Sequence, residues 1–352
     1  MRKSTRLLST VAMSAVAVLG LAACSGSGSG AGGDSSAGDS SAGGGADGTT
    51  LRLALNQTEE HPSYIALDAF GQRLEEATDG RWSIQVYPNE TLGAQAETLQ
   101  LVGDGAVDLA IVSGPQLENV SSDFLVYDLP TVFDSIDHQM TVVNDSPELT
   151  DELYTSLEES NSLTVVGGFT QGARSVYTKE APAETPADLA GLKIRVQESP
   201  LFISLIEALD ASPTPLAFGE VYTGLQSGVI DGAENNEVSY STQKHYEVAP
   251  YFSYTRHLIG LDYLIGNTGV LGEMSEEDRA AFDEAWGETW QQHTELWTEA
   301  TEDAIADATA AGATFTEVDS EAFTDAIAPL LDEFITDDRQ EQLFEEARAA
   351  AE

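Results

Sequence analysis

The chain of 352 residues carries 15 Lys and Arg against 60 Asp and Glu, a formal net charge of −45 that would repel a phosphate backbone nearly everywhere and excludes nucleic-acid binding. Its 41% hydrophobic residues suffice for packed cores in about two domains, and its single cysteine excludes an internal disulfide, a Cys-rich zinc site and a redox pair. Such acidity fits either a saline habitat, where screening mutes self-repulsion, or an ordinarily solvated exterior.

Arg2, Lys3 and Arg6 precede an apolar run from Leu7 to Ala23, so residues 1–23 read as a secretory signal peptide. The tetrapeptide Leu21-Ala22-Ala23-Cys24 is similar to a bacterial lipobox, which makes Cys24 the expected lipidation site and mature N-terminus. Residues 25–48 contain 10 Gly and 7 Ser with only Ala and Asp besides, so residues 24–48 form a lipidated cysteine and tether. A Gly-rich coil of that length spans about 27 Å. No later segment reads as a transmembrane helix, which leaves an exported protein at the outer face of the cell membrane or in the periplasm, held by lipid alone.

The folded part opens with a strand at residues 51–55, followed by an amphipathic helix from Pro62 to Ala77 that Asp79-Gly80 stops. A strand at 82–87 ends at Pro88, a helix covers about 94–102, and a third strand spans 107–112. Strands at 163–166, 175–178, 192–196 and 229–230 then alternate with helices near 136–159, 200–210 and 219–227. Such alternation predicts an α/β fold with a largely parallel sheet, repeated as two lobes. From 275 to 311 a long helical pattern places Phe282, Trp286, Trp290 and Trp297 on one face, which reads as core rather than as a sugar platform. No short-period repeat is evident, which argues against a solenoid or propeller.

In open parallel sheets ligands lie beyond the carboxyl ends of the strands, which singles out Asn56, Ser113, Arg195 and Glu234-Asn235. Arg195 lies between Ile194 and Val196, and Arg174 in a neutral stretch of a cation-poor chain. Each arginine either binds an anion or pairs with one of the many carboxylates as structural support. Catalysis has no positive support: there is no G-x-S-x-G, H-E-x-x-H, Walker or G-x-G-x-x-G motif, and the 5 histidines are scattered. Adjacent acids such as Glu59-Glu60 arise freely among 60 carboxylates. No metal or cofactor site is expected.

Residues 56–62 (NQTEEHP), 87–93 (YPNETLG), 105–108 (GAVD), 185–189 (TPADL), 191–196 (GLKIRV), 211–218 (ASPTPLAF), 220–222 (EVY) and 231–235 (DGAEN) occur in an order that makes them specific together. Over roughly residues 50 to 345 the chain resembles the DctP-type extracytoplasmic solute-binding proteins of tripartite ATP-independent periplasmic (TRAP) transporters. The resemblance implies a non-enzymatic monomer with the two-lobed fold of periplasmic binding proteins, hinge strands, and a long helix spanning both lobes. It assigns residues 49–170 plus about 261–300 to lobe I, and 171–260 plus part of the C-terminal helices to lobe II. A small organic anion would be enclosed between the lobes and delivered to membrane permease subunits.

The same resemblance implies that Arg195 forks onto the ligand carboxylate, with Arg174 and Asn235 beside it, and that Phe218 packs on the solute. A guanidinium offers two parallel donors to a carboxylate, which lysine cannot reproduce. Asn56, Gln95 and Ser113 fall where sugar-acid members read the far end of the solute, and Glu60 and His61 would contact its hydroxyls, His61 having helix capping as its alternative role. The opening NQTEEHP is similar to members that take hexuronates such as glucuronate and galacturonate. C4-dicarboxylates, 2-oxo acids and sialate are the alternatives, and an enzyme acting on acidic saccharides is the alternative of another class. Two residues depart from the family pattern: Asn236 stands where Pro often follows Glu-Asn, and Glu90 where a Gln is common in the Gln-Leu-Gly segment.

Overall fold

The first strand, β1 (Thr49–Ala54), lies parallel to both β2 (Trp82–Tyr87) and β3 (Leu109–Ser113) in a computed structural model that describes residues 48–350. The expected signal peptide, Cys24 and the expected tether lie outside the described residues apart from Gly48. Helix Pro62–Ala77 connects β1 to β2. It begins where Pro62, lacking an N–H, loses nothing in the first turn, and it buries Ala66, Leu67, Phe70 and Leu74 on one stripe. It ends as Asp79 and Gly80 turn to positive φ. Helix Gln95–Gly103 makes the second crossover, completing a β-α-β-α-β unit.

Two long strands then organise the molecule. Strand β4 (Leu163–Thr178) and strand β8 (Tyr251–Asn267) run antiparallel to each other along nearly their whole length. At roughly 3.3 Å per residue each reaches about 50 Å. One end of β8 pairs with β3, and the other with β9 (Thr314–Glu317). The far end of β4 pairs with β7 (Gly232–Asn235), which continues through β5 (Lys193–Val196) to β6 (Ser212–Pro215). The result is one nine-stranded sheet of order β2-β1-β3-β8-β4-β7-β5-β6, with β9 beside β8.

The sheet is α/β as expected but mixed, not largely parallel. The β3–β8, β4–β8 and β4–β7 pairs are antiparallel because β4 and β8 pass through both parallel sets. Three further expectations are corrected. The segments 163–166 and 175–178 are ends of one strand, β4, bent by register shifts near residues 166, 171 and 175. The strand expected at 229–230 is β7, slightly later: Gly228 in a left-handed turn closes helix Val221–Ser227, Val229 is exposed, and the buried run is Gly232–Asn235. The helix expected near 136–159 divides into Ile136–Asp145, Pro147–Thr155 and Glu158–Asn161, the first break falling at Ser146-Pro147.

Helix Glu276–Ala310 runs for 35 residues, about 52 Å at 1.5 Å per residue. Near its start Phe282 and Trp286 pack edge-on against Phe70, at 5.1 and 5.8 Å between ring centroids. Near its end Ala308 joins a separate core of Tyr177, Tyr240 and Phe252. The aromatic stripe is core, with Phe282, Trp286 and Trp297 buried and Trp290 packed partly against them. None of the helices among the described residues is long and apolar enough to cross a membrane.

Candidate functional site

The carboxyl ends of β1, β2 and β3 face those of β5, β6 and β7, and the segments leaving them enclose a small cavity. Asn56 and Gln57 follow β1, Gln95 opens the helix after β2, and Ser113 ends β3. From the opposite side come Arg195 and Gln197 at the end of β5, Phe218 after β6 and Asn235 at the end of β7. Arg174 and Gln171, on β4, complete the lining. Adjacent register explains the convergence: Arg195 pairs with Ala233, and Asn235 with Ser175, so β5, β7 and β4 present their polar residues together. The cavity measures about 20 Å³, and an adjoining one of about 40 Å³ shares Gln95, Arg195, Gln197 and Phe218.

The two arginines are in different electrostatic states. Arg174 donates from Nε and Nη2 to the two Glu234 oxygens at 2.6 and 2.7 Å, and from Nη1 to Gln171 and to Asn235 Oδ1, the latter at 3.1 Å. Burial opposes the Glu234 charge, but Arg174, with His257 Nε2 at 3.6 Å adding to it, outweighs burial and holds the carboxyl down at about 2. Arg195, 3% exposed, has no carboxylate within ion-pairing reach among the described residues. Its Nε and Nη2 both donate to the Leu216 carbonyl, at 2.9 and 2.8 Å, and Nη1 has no hydrogen-bond partner among the described residues. Burial lowers its pKa, with Glu234, Tyr177 and Glu90 acting in the opposite sense. Every other arginine among the described residues has a carboxylate partner.

A guanidinium stays ionised, so a buried one without a counter-charge is stabilised only when an anion completes it. The polar groups around it are similarly incomplete. Asn235 Oδ1 accepts from Arg174 and from the Asn236 backbone and side chain, while Asn235 Nδ2 is unpartnered among the described residues. Asn56 Oδ1, Gln57 Oε1 and Gln95 Nε2 are buried without hydrogen bonds. By contrast Ser113 is engaged, donating to Asp262 Oδ1 at 2.8 Å and accepting from Gln171 Nε2 at 3.1 Å. Burial raises the Asp262 pKa. Phe218 sets its ring 6.0 Å from the Arg195 guanidinium carbon, forming an apolar wall.

The structure therefore gathers Arg195, Arg174, Asn235, Phe218, Asn56, Gln95 and Ser113 around one cavity, and leaves Glu60 and His61 out of its lining. Glu60 is exposed in a separate surface depression with Glu59 and Lys244. His61 is buried and caps helix Pro62–Ala77, its Nδ1 accepting from the Ser63 N–H at 3.1 Å; burial lowers its pKa to about 3, so the ring is neutral. Three lining residues escaped the sequence reading: Gln57, Gln171 and Gln197. Gln57 and Gln197 lie beyond strand ends, where the same rule would have found them. Gln171 sits in the β4 bulge, which no local pattern announced. Among the described residues no group of three or more His, Cys, Asp or Glu side chains is placed to hold a metal ion.

Comparison with known proteins adds to this geometry. Residues 53–338 match the family described as bacterial extracellular solute-binding protein, family 7, DctP. A solute-binding protein of Chromohalobacter salexigens is 35% identical over 276 residues, 78% of this chain and 81% of that protein. A TRAP periplasmic solute-binding protein from Anaerococcus prevotii, solved with bound D-glucuronate, is 37% identical with a TM-score of 0.82, covering 86% of this chain and 98% of the other. One from Bradyrhizobium sp. BTAi1, in complex with D-galacturonate, is 31% identical with a TM-score of 0.81, covering 86% and 100%.

Proposed function

This chain belongs to the DctP family of solute-binding proteins of TRAP transporters, and from that premise we propose that it captures a hexuronate, glucuronate or galacturonate, and hands it to membrane permease subunits. One observation carries the choice of an acid: Arg195 is the arginine without a carboxylate partner among the described residues, buried where two sets of strand ends meet. A ligand carboxylate would accept from Arg195 Nη1 and Asn235 Nδ2, a charge-assisted contact contributing about 1.5–3 kcal/mol. The unpartnered amide groups of Asn56, Gln57 and Gln95 suit hydroxyls, which both donate and accept. Uronates bound in the similar Anaerococcus and Bradyrhizobium proteins support the same class of solute.

A dicarboxylate is less well served. The other cation in the lining, Arg174, is already neutralised by Glu234, so a second ligand carboxylate would find no free counter-charge, with Asp262 buried behind Ser113 and Gln171 adding repulsion. Arg174 thus supports the site mainly by fixing Asn235 and Gln171. Ser113 and Gln171 serve as a relay that holds the floor, and Phe218 packs on the sugar face. The chain acts by binding alone and returns its solute unchanged.

A cavity of about 20 Å³ holds about one water, so a sugar acid enters only when the enclosing segments part. We assign that motion to two lobes, residues 49–170 with about 261–300 and residues 171–260 with part of the C-terminal helices, bending on β4 and β8. Cys24 as a lipid anchor, the following tether and a monomeric state complete the proposal for a protein working at the outer face of the cell membrane or in the periplasm. Thermal unfolding of the soluble body with glucuronate, galacturonate, gluconate, succinate, pyruvate and glucose tests it. A uronate at about 100 times its Kd adds about 2.7 kcal/mol, several degrees in Tm, and glucose adds nothing. Stabilisation by succinate or pyruvate alone would overturn the hexuronate assignment.

A further inference from the structure

The loop between β2 and helix Gln95–Gly103 holds two consecutive non-glycine residues in the left-handed region, Asn89 at φ 57 and Glu90 at φ 54. Each such residue is strained, and the pair persists because the end of β1 fixes it. The Asn89 N–H donates to Gln57 O at 3.0 Å and the Glu90 N–H to Leu55 O at 3.1 Å, while the Gly93 N–H closes the turn on Glu90 O at 2.9 Å. This geometry lays the Glu90 carboxylate against Gly219, on the opposite side of the cavity, so closely that a Cβ at Gly219 would collide with it at 2.4 Å.

Glu90 lines the adjoining cavity together with Gln95, Arg195, Gln197 and Phe218. Its Oε1 is a buried acceptor with no partner, and Gln95 Nε2, in the same lining, is a buried donor with no partner. Gln95 Oε1 is already turned to the Ser113 N–H, at 3.4 Å. One group satisfies both deficits at once: a hydroxyl, which donates to Glu90 and accepts from Gln95. A carboxylate there would leave Glu90 without a donor and add repulsion. Burial raises the Glu90 pKa, while the Gly219 N–H and the Arg195 charge favour its ionised form and Glu220 opposes it.

We propose that Glu90 and Gln95 form a hydroxyl subsite beside Arg195 that reads the configuration at C4 of a bound hexuronate. The inference rests on the proposed function, with the ligand carboxylate on Arg195. On a pyranose uronate the carboxyl carbon is attached to C5, whose neighbours are the ring oxygen, which cannot donate, and C4, which carries a hydroxyl. The hydroxyl nearest Arg195 is therefore the one on C4, axial in galacturonate and equatorial in glucuronate. A subsite fixed by a strained turn accepts one orientation better than the other.

Calorimetric titration of glucuronate and galacturonate into the wild type, Glu90→Ala and Glu90→Gln tests this. The wild type discriminates between the two epimers by at least about tenfold, the worth of one charged hydrogen bond. Glu90→Ala brings the ratio of Kd values to within about threefold of unity, chiefly by weakening the preferred epimer. Glu90→Gln, which keeps the side-chain shape and a weaker acceptor, gives an intermediate ratio. Equal weakening of both epimers with the ratio unchanged, or a wild type without discrimination, overturns the subsite while leaving uronate binding intact. A wild type that binds neither uronate overturns the functional reading itself.

Discussion

Arg174 and Arg195 lie on β4 and β5 of one sheet with β7 between them, yet substitution at each has a different consequence. Removing the Arg174 guanidinium takes the main partner from the buried Glu234 carboxylate, 0% exposed, and leaves only His257 Nε2, at 3.6 Å, beside it in a low dielectric. Such orphaned charges cost about 3–5 kcal/mol. Arg174→Met is expected to lower stability by that order in denaturant unfolding, and the double variant with Glu234→Leu to recover much of the loss; a double variant no more stable than the single would contradict the account. The pair also has a pH signature. A carboxyl held down at about 2 confers stability that is complete above its unfolded value near 4.5 and is lost as pH falls towards 2. The double variant lacks that acid-side loss. Much of the site was legible at this scale because parallel strands deliver polar residues at their carboxyl ends, which exposed Asn56, Ser113 and Arg195 to a simple rule. Sequence could not separate the two arginines, because the difference lies in Glu234 meeting Arg174 across a β4–β7 pair, a contact between residues 60 apart.

The elements were legible where propensity and punctuation agree. Helix Pro62–Ala77 and strand β2 occur with the expected bounds, each enclosed by Pro or Asp-Gly. Strands β6, β8 and β9 are not evident in the sequence, and neither is the continuity of β4: bulges break the two-residue alternation along the β4–β8 pair, β6 is four residues with two prolines, and β9 is only four residues long. Gly172 shows what one such bulge is for. It lies at φ 62, and a Cβ there would sit 2.6 Å from Trp297 Nε1 on helix Glu276–Ala310. The glycine lets β4 turn its polar face to the cavity while the long helix packs on the other side. Gly172→Ala would force both a strained backbone and a displaced tryptophan, and is expected to cost about 1–3 kcal/mol in thermal unfolding. An unchanged Tm would show that the bulge tolerates a side chain and does not anchor the helix.

For the whole molecule, β4 and β8 are the continuous links between the two parallel strand sets, and the cavity lies between those sets. Polar contacts close the structure around it. Glu118, at the end of the short helix Gly114–Glu118, accepts from the Ser199 hydroxyl and from the Leu201 N–H at 3.2 Å, and Gln57 Nε2 donates to Ser239 Oγ at 3.3 Å. On the proposed two-lobed reading these are the bonds that opening would break, and ligand contacts would decide the balance. Small-angle scattering is expected to show a smaller radius of gyration with a stabilising uronate than without it. Superimposable profiles would contradict closure on the ligand. The sequence motifs reached the family and its two-lobed expectation, but not the single mixed sheet, which depends on pairing between residues as far as 104 apart in the chain, such as Leu163 with Asn267.

The central claim is that Arg195 is held ready for a ligand carboxylate. Calorimetric titration of glucuronate and galacturonate into the wild type and into Arg195→Ala, with circular dichroism confirming that both are folded, tests it most directly. The account predicts saturable binding by the wild type and at least about a hundredfold loss in the variant, the combined worth of a charge-assisted contact and the desolvation it offsets. Equal affinities in wild type and variant would contradict it, and would show that the buried cation serves the Leu216 carbonyl rather than the solute.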